Sequence, residues 1–198
     1  MASSPFTPAV GAFFFVIGLD WQVGGATITE TANTGLAMTT ATTSGFPNFN
    51  DGQADTWQFA YQKTAVGVAT LCTVASAADA LFLMGLAYSG VGSVSNISIT
   101  AGTATGTALS GASVVVPTGA VLVAYAVGLS STSTILALDT STLRASGSNV
   151  PAHWGIWEYA GGGTAVTPKF SVDTTAIGLV IQLVLNPYHP LMGMGMGA

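Results

Sequence analysis

Charge is what this chain has least of. Its 198 residues include three Lys+Arg and eight Asp+Glu, a charged fraction of 6 % with a net charge of −5. Soluble proteins average about 25 %. Residues 80 to 138 contain no Asp, Glu, Lys or Arg. So few cations leave no footprint for neutralising phosphates, which excludes nucleic acid as a partner, and they offer nothing to an anionic membrane surface. Cysteine is almost missing as well. Cys72 stands alone, cannot close an internal disulfide, and reads in its apolar setting as a small buried hydrophobe. The expected place of synthesis and assembly is a reducing cytoplasm.

Long hydrophobic runs are also missing, despite a mean hydropathy of +0.61. A spanning helix needs about 20 nearly continuous apolar residues. The cleanest runs, 11–19, 119–129 and 176–185, fall short, and Gln182 breaks the last of them. The longer stretch 65–91 is interrupted by Thr70, Thr73, Ser76 and Asp79. No Lys or Arg flanks any of the clean runs to set an orientation, so a helical membrane protein is not expected. The apolar 12–17 has no basic residues before it and does not read as a secretory signal. Helical periodicity is absent too: no segment keeps an i, i+3, i+4, i+7 stripe over three turns.

What remains is strand grammar. Thr, Val, Ala, Ser and Gly dominate, in short apolar runs separated by turn residues such as Pro117-Thr-Gly119, Ser146-Gly-Ser-Asn149 and Gly161-Gly-Gly163. Thirteen strands are expected: 12–19, 26–31, 36–41, 56–63, 66–74, 81–88, 95–100, 112–116, 121–128, 133–138, 154–160, 167–172 and 177–185. Some alternate, as in Trp57, Phe59 and Tyr61 against Gln58, Ala60 and Gln62. Others, 121–127 and 177–185, are apolar on both faces and belong either in a sandwich centre or against another subunit. The expected fold is all-β, an antiparallel β-sandwich of jelly-roll type over 11–187. An N-terminal arm (1–10) and a Met/Gly-rich C-terminal tail (188–198) flank it.

Chemistry-bearing residues are few. Only His153 and His189 could act as imidazole bases, and no Gly-x-Ser-x-Gly elbow exists. Asp51, Asp55, Asp139 and Asp173 fall in turns or at strand ends, the usual place for capping Asp. The oxygen-rich 48–55 lacks the spacing and closing Glu of a calcium loop. No catalytic, cofactor or metal site is therefore expected.

The densest cluster is Pro151-Ala-His-Trp-Gly-Ile-Trp-Glu-Tyr-Ala160. As a strand it puts His153, Gly155, Trp157 and Tyr159 on one face, and Trp154, Ile156, Glu158 and Ala160 on the other. His153 and Glu158 are then divided by the strand itself. With one tryptophan per face, one is expected to anchor the core and the other an interface or the opposite sheet. Trp154, Trp157 and Tyr159 are the candidate interface or glycan-stacking residues.

The stretches Val94-Ser-Asn-Ile-Ser-Ile-Thr100, Thr107-Ala-Leu-Ser-Gly-Ala-Ser-Val-Val-Val-Pro-Thr-Gly119, His153-Trp-Gly-Ile-Trp-Glu-Tyr159 and Ile177-Gly-Leu-Val-Ile-Gln-Leu-Val-Leu-Asn-Pro187 resemble the jelly-roll structural proteins of tailed-bacteriophage virions. The likeness is to head decoration (cement) proteins and related head or tail appendages, covers about half of the chain, and is one of style. It implies a non-enzymatic protein on the capsid surface, often a homotrimer, bound to the major capsid protein and reinforcing the shell. The tail has no counterpart in that pattern. Tyr188, Leu191, Met192, Met194 and Met196 are its candidate capsid-docking residues, since unbranched Met fills irregular grooves. The alternatives are a head- or tail-fibre domain gripping a host glycan through exposed aromatics and, last, a polysaccharide-active enzyme on the same scaffold.

Overall fold

A computed structural model describes residues 13–20, 28–30, 39–46, 55–62, 72–74, 80–104, 108–129, 135–149, 152–172 and 176–187. The arm 1–10 and the tail 188–198 lie outside them. Among the described residues there is no helix. The N-terminal strands are β1 (Phe13–Asp20), β2 (Ile28–Glu30), β3 (Thr39–Phe46), β4 (Asp55–Gln62), β5 (Cys72–Val74) and β6 (Ala80–Tyr88). They form an antiparallel sheet of order β3-β4-β1-β6 and a β2-β5 ribbon. The remaining strands are β7 (Val91–Ala104), β8 (Ala108–Ser110), β9 (Val114–Val115), β10 (Val121–Leu129), β11 (Ile135–Ala137), β12 (Thr142–Asn149), β13 (Ala152–Ala160), β14 (Ala165–Val166), β15 (Lys169–Val172) and β16 (Ala176–Pro187).

From β7 onward the pairings nest. β7 pairs with β16, β8 with β15, β9 with β14 and β10 with β13, all antiparallel. The chain is thus one long folded hairpin with its bend between β11 and β12. Rolling it up brings β10 beside β16 and gives a five-stranded sheet, β12-β13-β10-β16-β7, facing a three-stranded sheet, β11-β15-β8. This is jelly-roll connectivity. The division is uneven, because β12 has joined the large sheet beside β13 and left β11 with β15 as its one described strand partner.

The core between the two sheets explains the alternation. Leu122, Ala124 and Ala126 of β10, Val180 and Val184 of β16, and Trp157 and Tyr159 of β13 point inward. They meet Leu109 of β8, Ile135 of β11 and Phe170 of β15. The other face of the large sheet is buried too. Val123, Tyr125, Val127, Ile156, Ile181 and Leu183 are all inaccessible within a single chain. Tyr88, at the end of β6, reaches that face and donates to Glu158. The both-face apolar pattern of 121–127 and 177–185 is therefore that of central strands, and needs no second subunit.

Two expectations are corrected. Ser146-Gly-Ser-Asn149 is not a turn but the second half of β12, paired residue by residue with β13. Turn-type residues occur there because Gly147 lies under the Trp154 indole: a Cβ on it would come within 2.8 Å of the ring. The short β8 was also not anticipated, because three residues carry no readable alternation. By contrast Pro117-Thr-Gly119 does turn, with Ala120 N–H donating to Pro117 O at 3.0 Å and Gly119 at φ 81°. That is the left-handed value a type II turn requires at its third residue.

Candidate interaction surface

The aromatic-rich strand β13 divides as its alternation dictates. On the inner face, Trp157 (3 % exposed) packs against Phe170 with ring centroids 4.6 Å apart. Its indole covers Gly155, where a Cβ would fall 2.2 Å from the ring. Tyr159 (4 % exposed) lies on the same side. Neither ring can stack on a sugar or meet a partner while the domain is folded, so both leave the set of candidate contact residues. On the other face, Trp154 lies against Gly147 and beside Tyr125, with centroids 6.4 Å apart and planes at 29°. It is half-buried and borders an open groove. Tyr188, Leu191, Met192, Met194 and Met196 fall outside the described residues.

His153 and Glu158 are separated by the sheet, as their spacing requires. Glu158 accepts from Tyr88 and from Arg144 Nη2, an ion pair that ties β12 to β13 beside the irregularity at Leu143/Ala145. The Arg144 guanidinium is exposed, and its partner raises its pKa further. His153 Nε2 is buried and meets no hydrogen-bond partner among the described residues. Those residues contain no group of three or more His, Cys, Asp and Glu placed to hold a metal ion.

Three phenols are held neutral. Burial raises the pKa of Tyr88, with the Glu158 carboxylate adding to it. Burial alone raises Tyr125. Tyr159 is raised by burial and then by Asp139; Asp139, Ser141 and the Lys169 carbonyl surround its Oη, but none meets it at full hydrogen-bond geometry. A group harder to ionise folded than unfolded contributes stability that is complete below its unfolded pKa, about 10, and is lost as pH rises past it. Tyrosinate absorbance should therefore show Tyr88, Tyr125 and Tyr159 withheld near pH 10, appearing only with alkaline unfolding. Ionisation of all five tyrosines with the fold intact would mean that these rings are solvated.

The groove beside Trp154 lies past the last described strand of the small sheet. It has a volume of about 270 Å³ and is walled by Ile135 and Leu136 of β11, Leu143, Ser146 and Ser148 of β12, and His153. On β12, Leu143, Ser146 and Ser148 pair with Trp157, Gly155 and His153 and so share the inward face. Yet among the described residues the small sheet stops at β11, and no strand lies opposite them. Large apolar side chains are left exposed around this edge: Leu136 is 59 % exposed, Leu138 57 % and Leu143 51 %, and Leu136 and Leu143 both wall the groove. Comparison with family models, curated proteins and solved structures returned no match for the chain.

A second hollow, about 470 Å³, is lined by Asp139, Thr140, Tyr159, Thr164 and Thr167. It is polar and has no exposed ring face. Gln182 is the one buried polar side chain of the described core; its Nε2 donates to Ala112 O at 2.8 Å. Gly111 makes room for the amide, since a Cβ there would lie 2.1 Å from Oε1. That arrangement is a clamp between the layers. The exposed leucines do not read as one surface in the sequence, because Ser146-Gly-Ser-Asn149 has turn composition and only its pairing with β13 makes it strand. Leu136 and Leu138, two apart in a Ser/Thr-rich stretch with Leu143 beyond the bend, were its readable trace.

Proposed function

We propose that this chain is a non-enzymatic structural protein of a virion, a capsid decoration protein of jelly-roll type. It would act by burying apolar surface against copies of itself and against capsid subunits. The observation that carries the reading is the exposure of Leu136, Leu138 and Leu143 beside an edge where no described strand extends the small sheet to match the large one. Exposed apolar side chains grouped at an unpaired sheet edge mark a place made to be covered. Fully burying a leucine contributes about 1.5–3 kcal/mol. Three half-exposed leucines per copy, repeated over a symmetric assembly, suffice to add appreciably to a shell. The division of His153 from Glu158 by the sheet removes the one acid–base pair in the cluster, which favours a structural role over a catalytic one.

The rival is a fibre domain that grips a host glycan where Trp154 borders Ser146, Ser148 and His153 in the groove. The double variant Leu136→Ser/Leu143→Ser separates the two. Under the structural reading it sediments as a smaller species than the unaltered protein and fails to bind empty capsids, while Trp154→Ala leaves capsid binding in place. Loss of host-cell binding in Trp154→Ala, with few copies per virion, would replace decoration by the fibre reading.

A further inference from the structure

The groove also has a direction. Among the described residues the small sheet ends at β11, whose second edge has no strand partner, and Leu143 on the inward face of β12 beyond it is half exposed. The lining of the groove there runs along β12 from Leu143 through Ser146 to Ser148, with Ile135 and Leu136 of β11 also lining it. One extended segment added to β11 would fill it and make the small sheet four-stranded. Addition of a strand to an open edge draws affinity from main-chain hydrogen bonds and specificity from alternate side chains.

The sequence contains a segment with that alternation. Met192, Met194 and Met196 alternate with Gly193, Gly195 and Gly197. As extended backbone this puts three thioethers on one face and no side chains on the other. Methionine suits a groove walled by leucine, isoleucine and serine, because its unbranched chain adapts to irregular apolar space. We infer that the Met/Gly tail of a neighbouring copy adds as a strand to the free edge of β11, its methionines seated between β11 and the inward face of β12.

The reach of the chain favours a neighbour's tail over the chain's own. β16 ends at Pro187, in register with Val91 of β7, so β10 and β13 separate it from β12. Crossing three strand spacings of roughly 4.8 Å and one layer of about 10 Å consumes about seven residues at ~3.3 Å each. An own-chain tail would then bring Met194 and Met196 to the near end of the groove but leave Met192 behind, so that all three could not be seated. A neighbour's tail has no such path to travel. The inference rests on the self-association proposed above, and names the segment responsible for it.

The test uses the full chain in a Cys72→Ser background. Leu136→Cys is placed in one preparation and Met194→Cys in another; the two are mixed and treated with a short thiol–thiol cross-linker. A covalent dimer joining the two variants is expected, together with a fall in sedimenting mass when Met192, Met194 and Met196 are all changed to Ser. A single chain carrying both cysteines that cross-links only within itself overturns the inference in favour of its own tail. An assembly that persists in the triple serine variant, without mixed cross-links, overturns it while leaving self-association standing. A full-length protein that is monomeric at every concentration removes both.

Discussion

Replacing Trp157 with alanine is expected to lower the unfolding free energy by about 3–5 kcal/mol, the usual range for emptying a buried tryptophan site. That is a large part of the 5–15 kcal/mol by which domains are stable. Trp157 joins the two layers: it stands on β13 of the large sheet and its ring meets Phe170 of the small one. Collapse around the vacancy is hindered because the indole lies over Gly155, which has no side chain to move into the space. Denaturant unfolding should show the loss as a lower midpoint with little change in slope. Trp154→Ala, at a half-buried ring beside the groove, should cost clearly less. Equal losses at the two sites would mean that Trp157 does not hold the layers together as described.

Gly161→Ala is expected to cost about 3 kcal/mol, above the common range for overpacking because the obstacle is backbone rather than side chain. A Cβ at this position would lie 1.9 Å from Pro117 O and 2.7 Å from Ala120 O. Both oxygens belong to the turn that Pro117 stiffens and the Ala120–Pro117 hydrogen bond closes. The substitution would also disturb the 2.8 Å hydrogen bond from Gly161 N–H to Ala120 O, which starts the return from β13. Neighbouring Gly162 provides the control. Its Cβ would meet nothing nearer than Thr164 Oγ1 at 4.0 Å, so Gly162→Ala should change stability by less than about 0.5 kcal/mol. If Gly162→Ala were the more damaging, the packing of this turn against the end of β13 would be refuted.

These two positions show what kind of information lies where. Trp157 could be called a core or interface anchor from alternation alone, because side chains on a strand change face at every residue whatever the strand pairs with. Gly161 could be read only as a turn residue. Its contact with Pro117 spans a long sequence separation and exists only once β10 and β13 are paired.

The same boundary runs through the candidate surface. Composition and periodicity were enough to establish an all-β antiparallel chain, the central position of β10 and β16 as one of two options, the turn at 117–119, and the placing of His153 and Glu158 on opposite faces. Each of these depends on local backbone geometry or on a burial pattern written along one strand. The tertiary structure decided that β12 joins the large sheet, that Gly147 seats Trp154, and that Trp157 and Tyr159 are core while Leu136, Leu138 and Leu143 are left uncovered. Those outcomes depend on which strand pairs with which, and pairing is a competition among distant segments of similar propensity. A Ser-Gly-Ser-Asn sequence is a good turn until a tryptophan on the next strand needs a glycine to lie on.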